Sequence, residues 1–181
     1  MRREPHEQGE AADDESDWVV AAYRADACYL WALLGRLGVP EHSIEDVVQE
    51  VFLVLHRKRD EFRGASSVRT WLHGIAVHTA RRYRAKIDRR THEPIADREL
   101  ASDRPLEHEL GARQALRQLD RVLASLPDDQ REVFVLIEVA ELAAPEVAEL
   151  LGLKLNTVYS RLRLARARVQ RSLHEEAPDE R

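Results

Sequence analysis

The sequence is poor in residues that interrupt helices and in those that staple small folds. It holds seven glycines and seven prolines in 181 residues, and no run alternates β-branched with polar residues. An all-α protein is expected. Cys28 is the single cysteine, which excludes an internal disulfide framework and any CxxC zinc site. No apolar run approaches a membrane span, and the acidic opening MRREPHEQGEAADDESD lacks the apolar centre of a signal peptide. The chain is therefore expected to be soluble and cytoplasmic, with no membrane insertion. Nothing assembles into a reaction centre either. The eight histidines form no HExxH, a glycine-rich phosphate loop is missing, and His73 and His78 stand five apart, off any shared ligand face. Neither enzyme activity nor a cofactor is expected.

Positive charge is in deficit overall but concentrated. The net charge is −5, yet residues 63–90 carry +7 and residues 152–173 carry +6, while every other segment is acidic. Two cationic blocks in an acidic chain are the electrostatic footprint of a nucleic-acid binder. The acidic remainder weakens attraction to random DNA, which suggests a protein helped onto DNA by a partner.

The most informative stretch runs from Glu146 to Leu173. It reads EVAELLG, LKL, then NTVYSRLRLARARVQRSL, with Gly152 placed where a helix C′ residue takes positive φ. Val158, Leu162, Ala165, Val169 and Leu173 form one helical stripe, with Asn156, Ser160, Arg163, Leu164, Ala167 and Arg171 opposite. A short helix, a tight turn and a cationic second helix make a helix-turn-helix whose second helix suits a DNA major groove. Any two-helix corner with a solvated basic face would read the same way.

Before it, the chain divides as follows. Residues 1–16 are an acidic arm. Ser16 or Asp17 is placed to cap a helix over about 18–37, with Trp18, Ala22, Tyr29, Leu33, Trp31 and Leu34 as its apolar surface, stopped by Gly38 and Pro40. Ser43, with Asp46 three residues on, is placed to cap the second helix. Ile44, Val47, Val48, Val51, Phe52 and Leu55 form its buried stripe, and Asp46, Gln49, Glu50 and Leu53 its opposite face. An apolar Leu53 among acids and an amide reads as a docking surface, or equally as one exposed leucine among ordinary charges. After the loop from Phe62, either Ser66 or Ser67 would cap a third helix over 68–90 that buries Trp71, Leu72, Ile75, Thr79 and Tyr83.

The C-terminal half of that third helix holds Arg81, Arg82, Arg84, Lys86, Arg89 and Arg90. A helix dipole accounts for some cations there, but six in ten residues is more than it requires, and phosphate contact is the better reading. Residues 91–112, acidic and without an apolar stripe, are a linker between two domains. The second domain, 113–173, opens with a helix built on Leu116, Leu119, Val122, Leu123 and Leu126. Pro127 breaks it, and Asp128 is placed to cap a helix burying Val133, Phe134, Leu136 and Ile137. Residues 174–181 form a tail.

Three ordered runs resemble the extracytoplasmic-function group of bacterial RNA polymerase sigma factors. Asp46-Val-Val-Gln49-Glu50-Val-Phe52 resembles the family's D-x-x-Q-[DE]-x-F signature. Phe62-Arg63-Gly64 and Arg69-Thr70-Trp71-Leu72-x-x-Ile75-Ala76 resemble its loop and promoter-melting helix. Leu126-Pro127-x-x-Gln130-Arg131-Glu132-Val133, Val147 to Gly152, and Thr157 to Leu162 resemble its C-terminal domain. The likeness spans about residues 17–173.

The resemblance implies a role for each part. Asp46, Gln49, Glu50 and Leu53 would dock on the clamp helices of the β′ subunit of core RNA polymerase. The loop from Arg63 to Val68, with Gly64, Ser66 and Ser67, would hold a base flipped from the non-template strand at the −10 element. Arg69, Arg81, Arg82 and Arg84 would follow that strand's backbone. Asn156, Thr157, Tyr159, Ser160, Arg161, Arg163, Leu164, Arg166 and Arg168 would read the −35 element, and their domain would touch the β flap. The linker would thread toward the RNA exit channel. Promoter DNA is thus an implied partner, an anti-sigma protein another, and the free chain is expected to be a monomer.

Some positions depart from the family pattern. Leu142-Ala143-Ala144-Pro145-Glu146 stands where the family usually has Leu-Ser-Tyr-Glu-Glu, so the serine N-cap is absent at a cost of roughly 1 kcal/mol. Pro145 in the first turn partly offsets it. Leu164 replaces a residue that is often basic or aromatic, and His78 a common asparagine. The alternative, a helix-turn-helix regulator binding DNA without polymerase, accounts for residues 113–173 but not for the Asp46–Phe52 face or the +7 block.

Overall fold

The computed structural model describes residues 11–64, 66–90 and 118–175, with side chains for 18–64, 66–87 and 118–173. The arm up to residue 10, the linker at 91–112, Leu116 and the end of the tail lie outside the described residues. Helices α1 (Ala11–Arg36), α2 (Glu41–Arg57) and α3 (Val68–Arg90) form the first half, with a 3-10 turn at Arg59–Glu61. The second half comprises α4 (118–124), α5 (Asp128–Phe134) running into a π turn at Val135–Val139, α6 (Ala144–Leu151) and α7 (Leu155–Glu175). No strand occurs among the described residues. The protein is all-α.

In the first half α1, α2 and α3 pack mutually. All six expected stripe residues of α2 are buried, Ile44 through Leu55. In α1, Ala22, Leu33 and Leu34 are buried, joined by Val19, Leu30 and, just past its end, Leu37, whereas Trp31 stays 44% exposed. Trp31 is one residue past Leu30, and that single step of about 100° carries it off the buried face. The helix ends as expected: Gly38 takes φ +88, its N–H bonds Gly35 O at 2.9 Å, and the Val39 N–H bonds Leu34 O at 3.0 Å.

Helix starts differ from expectation at three places, each with a local cause. α1 is already helical at Ala11, where the described residues begin, so Ser16 and Asp17 lie inside it, and no breaker separates them from Trp18. Pro40, at φ −61 and ψ 142, occupies the N-cap of α2, and its preset φ starts the helix at Glu41. Ser43 is therefore a buried residue of the first turns, its hydroxyl bonded by the Tyr83 hydroxyl. Pro127, at φ −53 and ψ 142, does the same for α5, leaving Asp128 as a first-turn residue. Ser67, by contrast, does cap α3, accepting the Thr70 N–H at 3.0 Å.

α3 buries more than one stripe. Leu72, Ile75 and Thr79 are buried and Trp71 and Tyr83 half-buried, but His73, Ala76, Val77 and Ala80 are buried as well. Two surfaces cover it: α1 and α2 on one side, and on another the second half, where Leu150 Cγ lies 3.7 Å from the position of a Cβ on Gly74.

The second half is tied together by Arg131. Its buried Nε bonds Leu123 O at 2.7 Å, and its Nη2 bonds Ala124 O and Leu126 O at 2.9 Å, satisfying carbonyls at the end of α4. Val133 to Leu136 are buried, with Ile137 half-buried. The N-cap of α6 is Ala143, which has no side-chain acceptor; the Glu146 carboxylate still takes the Ala143 N–H at 2.8 Å, half of a capping box. Gly152 takes φ +65, with Leu153 N–H on Ala148 O at 2.8 Å, and turns the chain into α7. Val158, Leu162, Ala165 and Val169 are buried there, but Leu173 is 44% exposed, past the helices that cover the stripe.

Leu72, with no exposed surface, and Leu53, at 60%, separate core from face. Leu72→Ala is expected to destabilise the free protein by about 2–5 kcal/mol. Leu53→Ala should move it by no more than about 0.5 kcal/mol. Urea denaturation of the two variants beside the parent measures both.

Candidate nucleic-acid interface

Along α2 the spacing 46, 49, 50, 53 sets four residues on one face, and the structure keeps them there. Asp46, Gln49 and Leu53 are exposed and Glu50 is half-buried, its carboxylate paired with Arg82 of α3. On α1, Val20 and Tyr23 are 40% and 48% exposed, and the Tyr23 ring meets Phe52 of α2 edge-on at 4.9 Å. Exposed apolar side chains are therefore found on α1 as well as on α2. Val20 and Tyr23 escape a reading of the sequence, because helical periodicity ranks residues within one helix and not across two.

The loop from Arg63 to Val68 rests on an aromatic stack. Phe62 lies 5.2 Å from the Trp71 ring and 5.7 Å from the Trp18 ring. Gly64 has φ +68 with nothing within 4 Å of where a Cβ would stand, so its requirement is conformational, a turn that a side chain would strain. Arg63 and Ser66 are exposed, while the Ser67 hydroxyl is committed to the helix cap. Arg69 is committed too. It donates to Asp26 from Nε at 2.8 Å and Nη2 at 2.5 Å, and lies 4.7 Å over the Tyr29 ring.

Arg81, Arg82 and Arg84 of α3 are not free cations. Arg81 donates to Glu132 from Nε, at 2.9 and 3.0 Å, and from Nη2 at 2.5 Å. That hydrogen bonding raises the Arg81 pKa, fixing its charge more firmly. Arg84 reaches Glu132 at 2.7 Å, Asp128 at 3.0 Å and the Leu37 carbonyl. Sequence reasoning finds the cations and misses their acceptors, since Glu132 sits about fifty residues away beside an apolar run. Arg131 is also held in this group, its pKa lowered chiefly by burial against the opposing charge of Asp128 at 3.2 Å.

On α7 the expected outward residues Asn156, Tyr159, Ser160, Arg163, Leu164, Arg166 and Arg168 are all exposed, with Thr157 and Arg161 half-buried. The charges sort into two groups. Arg161 pairs with Asp129 at 3.2 Å and Arg166 with Glu138 at 2.6 Å, whereas Arg163 and Arg168 have no ion pair among the described residues. The Ser160 hydroxyl bonds Thr157 O at 3.0 Å. Between α2, α3 and α6 lies a cleft of about 850 Å³ lined in part by Val54, Trp71, Ile75, Arg82, Glu146 and Leu150.

Below the loop is a buried polar pair that no local spacing announces. Tyr29 Oη and His73 Nε2 are 2.9 Å apart, and His73 Nδ1 has no protein partner among the described residues. Burial, and then the neighbouring Arg69, push the imidazole down to about 4, against an opposing pull from Asp26 and Glu146. Burial likewise raises the Tyr29 phenol. Among the described residues no three His, Cys, Asp or Glu side chains gather as metal ligands, and no helix is long and apolar enough to cross a membrane.

Comparison with known proteins matches residues 22–90 to sigma-70 region 2 and residues 116–169 to sigma-70 region 4. The ECF RNA polymerase sigma-E factor of Escherichia coli (strain K12) is 35% identical over 140 residues, covering 71% of this chain and 72% of that protein. RNA polymerase sigma factor NccH of Alcaligenes xylosoxydans xylosoxydans is 34% identical, covering 73% and 74%. The structure of CnrH in complex with the cytosolic domain of CnrY superposes with TM-score 0.67 at 26% identity, over 92% of this chain and 96% of that one. The sigma factor RpoE of Bartonella quintana, crystallised with the anti-sigma factor NepR, shares the fold at TM-score 0.66 and 23% identity, over 87% and 97%.

The buried imidazole makes stability depend on pH. Above pH 6.5 His73 is neutral whether the chain is folded or not. Between 6.5 and about 4 the unfolded chain binds a proton that the folded chain refuses. Stability should therefore fall as pH falls across that window, by at most about 1.4 kcal/mol per pH unit from this group. Urea midpoints at several pH values, for the parent and for His73→Gln, isolate its contribution; identical pH slopes would exclude it.

Proposed function

The chain belongs to the extracytoplasmic-function sigma factors of the sigma-70 family, and from that membership we infer which of its surfaces does which part of the work. It is an RNA polymerase-binding factor that directs the enzyme to promoters. The observation that carries the assignment of surfaces is the separation of two outward faces on one chain. The α2 face with its exposed Leu53 lies in region 2, and the α7 face with Arg163 and Arg168 lies in region 4.

Asp46, Gln49, Glu50 and Leu53 dock on the clamp helices of β′, where a leucine ringed by acceptors suits an apolar contact with a polar rim. The loop Arg63 to Val68, seated on the Phe62–Trp71 stack, receives a base flipped from the non-template strand at the −10 element. Exposed Arg63 and Ser66 provide donors for it, and Gly64 lets the backbone turn there. Arg69 is a positioning residue here, because its guanidinium ties the start of α3 to α1 through Asp26. Lys86 and the arginines of α3 track the strand. α7 enters the major groove at the −35 element, with Ser160, Arg163, Leu164 and Ala167 at the centre and arginines on both flanks. The acidic linker threads toward the RNA exit channel, and region 4 touches the β flap. A structural relative bound to an anti-sigma factor supports such a partner for this cytoplasmic factor. Run-off transcription with core polymerase on a library of promoter sequences tests the whole reading. The chain should select a −10 and −35 pair, and no initiation above core polymerase alone would sink it.

Two sets of variants test the faces separately. Gln49→Lys with Glu50→Lys leaves the buried stripe of α2 intact and exchanges one partly exposed ion pair, worth about 0–1 kcal/mol, for a lysine beside Arg82, whose exposed side chain can swing into solvent. Melting should hardly change, while capture by core polymerase should collapse. On α7, Arg163→Ala should cost about 1–3 kcal/mol and relax base preference at one or two −35 positions. Arg168→Ala should instead weaken all promoters alike and lower the salt slope by about one. Promoter selection by holoenzyme carrying each variant distinguishes base contact from phosphate contact.

A further inference from the structure

Two acids of region 4 stand on the arginines of α3. Glu132 is 3% exposed and takes guanidinium donors from two residues of the other half, Arg81 and Arg84. Asp128 holds Arg84 a second time at 3.0 Å. The same junction carries Arg36 and Asp120 at 3.8 Å, and Arg131 laid so close against Gly38 that a Cβ there would collide with Nη1. These contacts join the α3 cations to the acidic block of residues 113–151.

We propose that this junction is an internal clasp, in which the carboxylates of Glu132 and Asp128 stand on Arg81 and Arg84 in place of nucleic-acid phosphates and withhold them in the free protein. The proposal rests on the reading of α3 as the strand-tracking surface. A guanidinium fork presents the same donors to a carboxylate and to a phosphate, so the two ligands compete for one site. The competition is uneven in the free chain. Glu132 is part of the same molecule, already positioned and out of water, while a strand must displace α5 to reach Arg81. A buried carboxylate left without its partners is strongly unfavourable, so the junction opens as a unit, exposing Glu132 to water as Arg81 and Arg84 are released. A ligand opens it only by binding the open form better. Core polymerase meets that condition if it engages region 2 and region 4 at separated places. The clasp also gives the acidic character of region 4 a purpose beyond solubility: it is the complement of the +7 block.

The test uses the full-length free protein, a fluorescent single-stranded oligonucleotide of random sequence, and small-angle scattering. Glu132→Gln removes the buried charge at constant size, and Asp128→Asn, at a half-exposed position, removes the second anchor and the Arg131 ion pair while leaving the three carbonyl bonds of Arg131 in place. The double variant should bind the oligonucleotide at least about fivefold more tightly than the parent, the low end of coupling between two sites. Its salt slope should steepen by up to about 1.4, two contacts at about 0.7 each on a single strand. Its radius of gyration should rise. Asp128→Asn alone should shift all three in the same direction by less, and it decides the question if circular dichroism shows that Glu132→Gln unfolds. Unchanged affinity and slope would overturn the clasp, and so would an expanded variant that binds no more tightly. Because no polymerase is present, these outcomes are independent of run-off transcription, whose failure would overturn the functional reading instead.

Discussion

A carboxylate taken out of water has to be neutralised where it sits, and Glu132 is the point at which that requirement shapes this molecule. Its two guanidinium partners come from α3, so α5 is held to that helix at fixed distance and orientation. At the other end of α3, Arg69 is held by Asp26, itself 7% exposed, on α1. α3 is thus pinned by ion pairs near its start and in its second half, and packed between them by aliphatic side chains. That explains why His73, Ala76, Val77 and Ala80 are buried on a helix whose overall charge is so positive. The pinned helix in turn sets the cleft beside α6 and the aromatic seat of the loop before it.

How much of this can be read from the residues depends on how local the cause is. The α2 stripe is legible in full, because a period of 3.6 within one helix needs no knowledge of neighbours. Gly38, Gly152 and the Ser67 cap are legible for the same reason. The helix starts at Pro40 and Pro127 are easily misplaced, since a serine or aspartate one to three residues on carries the same signal and only φ decides between them. Trp31 and Leu173 read as apolar surface because they are large and apolar. Their exposure depends on where neighbouring helices end. Least legible are the partners of the arginines. Segment charges announce that opposite signs are present, but the pairing of Arg81 with a carboxylate fifty-one positions away is a property of the assembled fold.

The entry to the helix-turn-helix is built differently. Ala143 cannot accept a bond at the start of α6, and Glu146 supplies only the return half of the cap. The weakness is confined to one turn. α7, which carries the residues proposed to face the groove, is held by Val158 and Ala165 with no exposed surface and by Leu162 at 5%, so its position is set by packing and not by the cap of the helix before it.

In the π turn at Val135–Val139, Ala140 N–H bonds Val135 O at 2.9 Å, five residues back, and Glu141 follows in the left-handed region at φ 57. Such a turn is an α-helix holding one residue more than its pitch accommodates. Removing that residue would shorten the path by only about 1.5 Å but rotate everything after it by roughly 100°. Glu138 would leave Arg166, and α6 would set out on another bearing. The azimuth of α7 is therefore encoded in the parity of a chain segment that carries none of its exposed residues. Among homologues of otherwise similar sequence, a single-residue indel here should act as a phase change, redirecting the reading face while leaving its residues untouched.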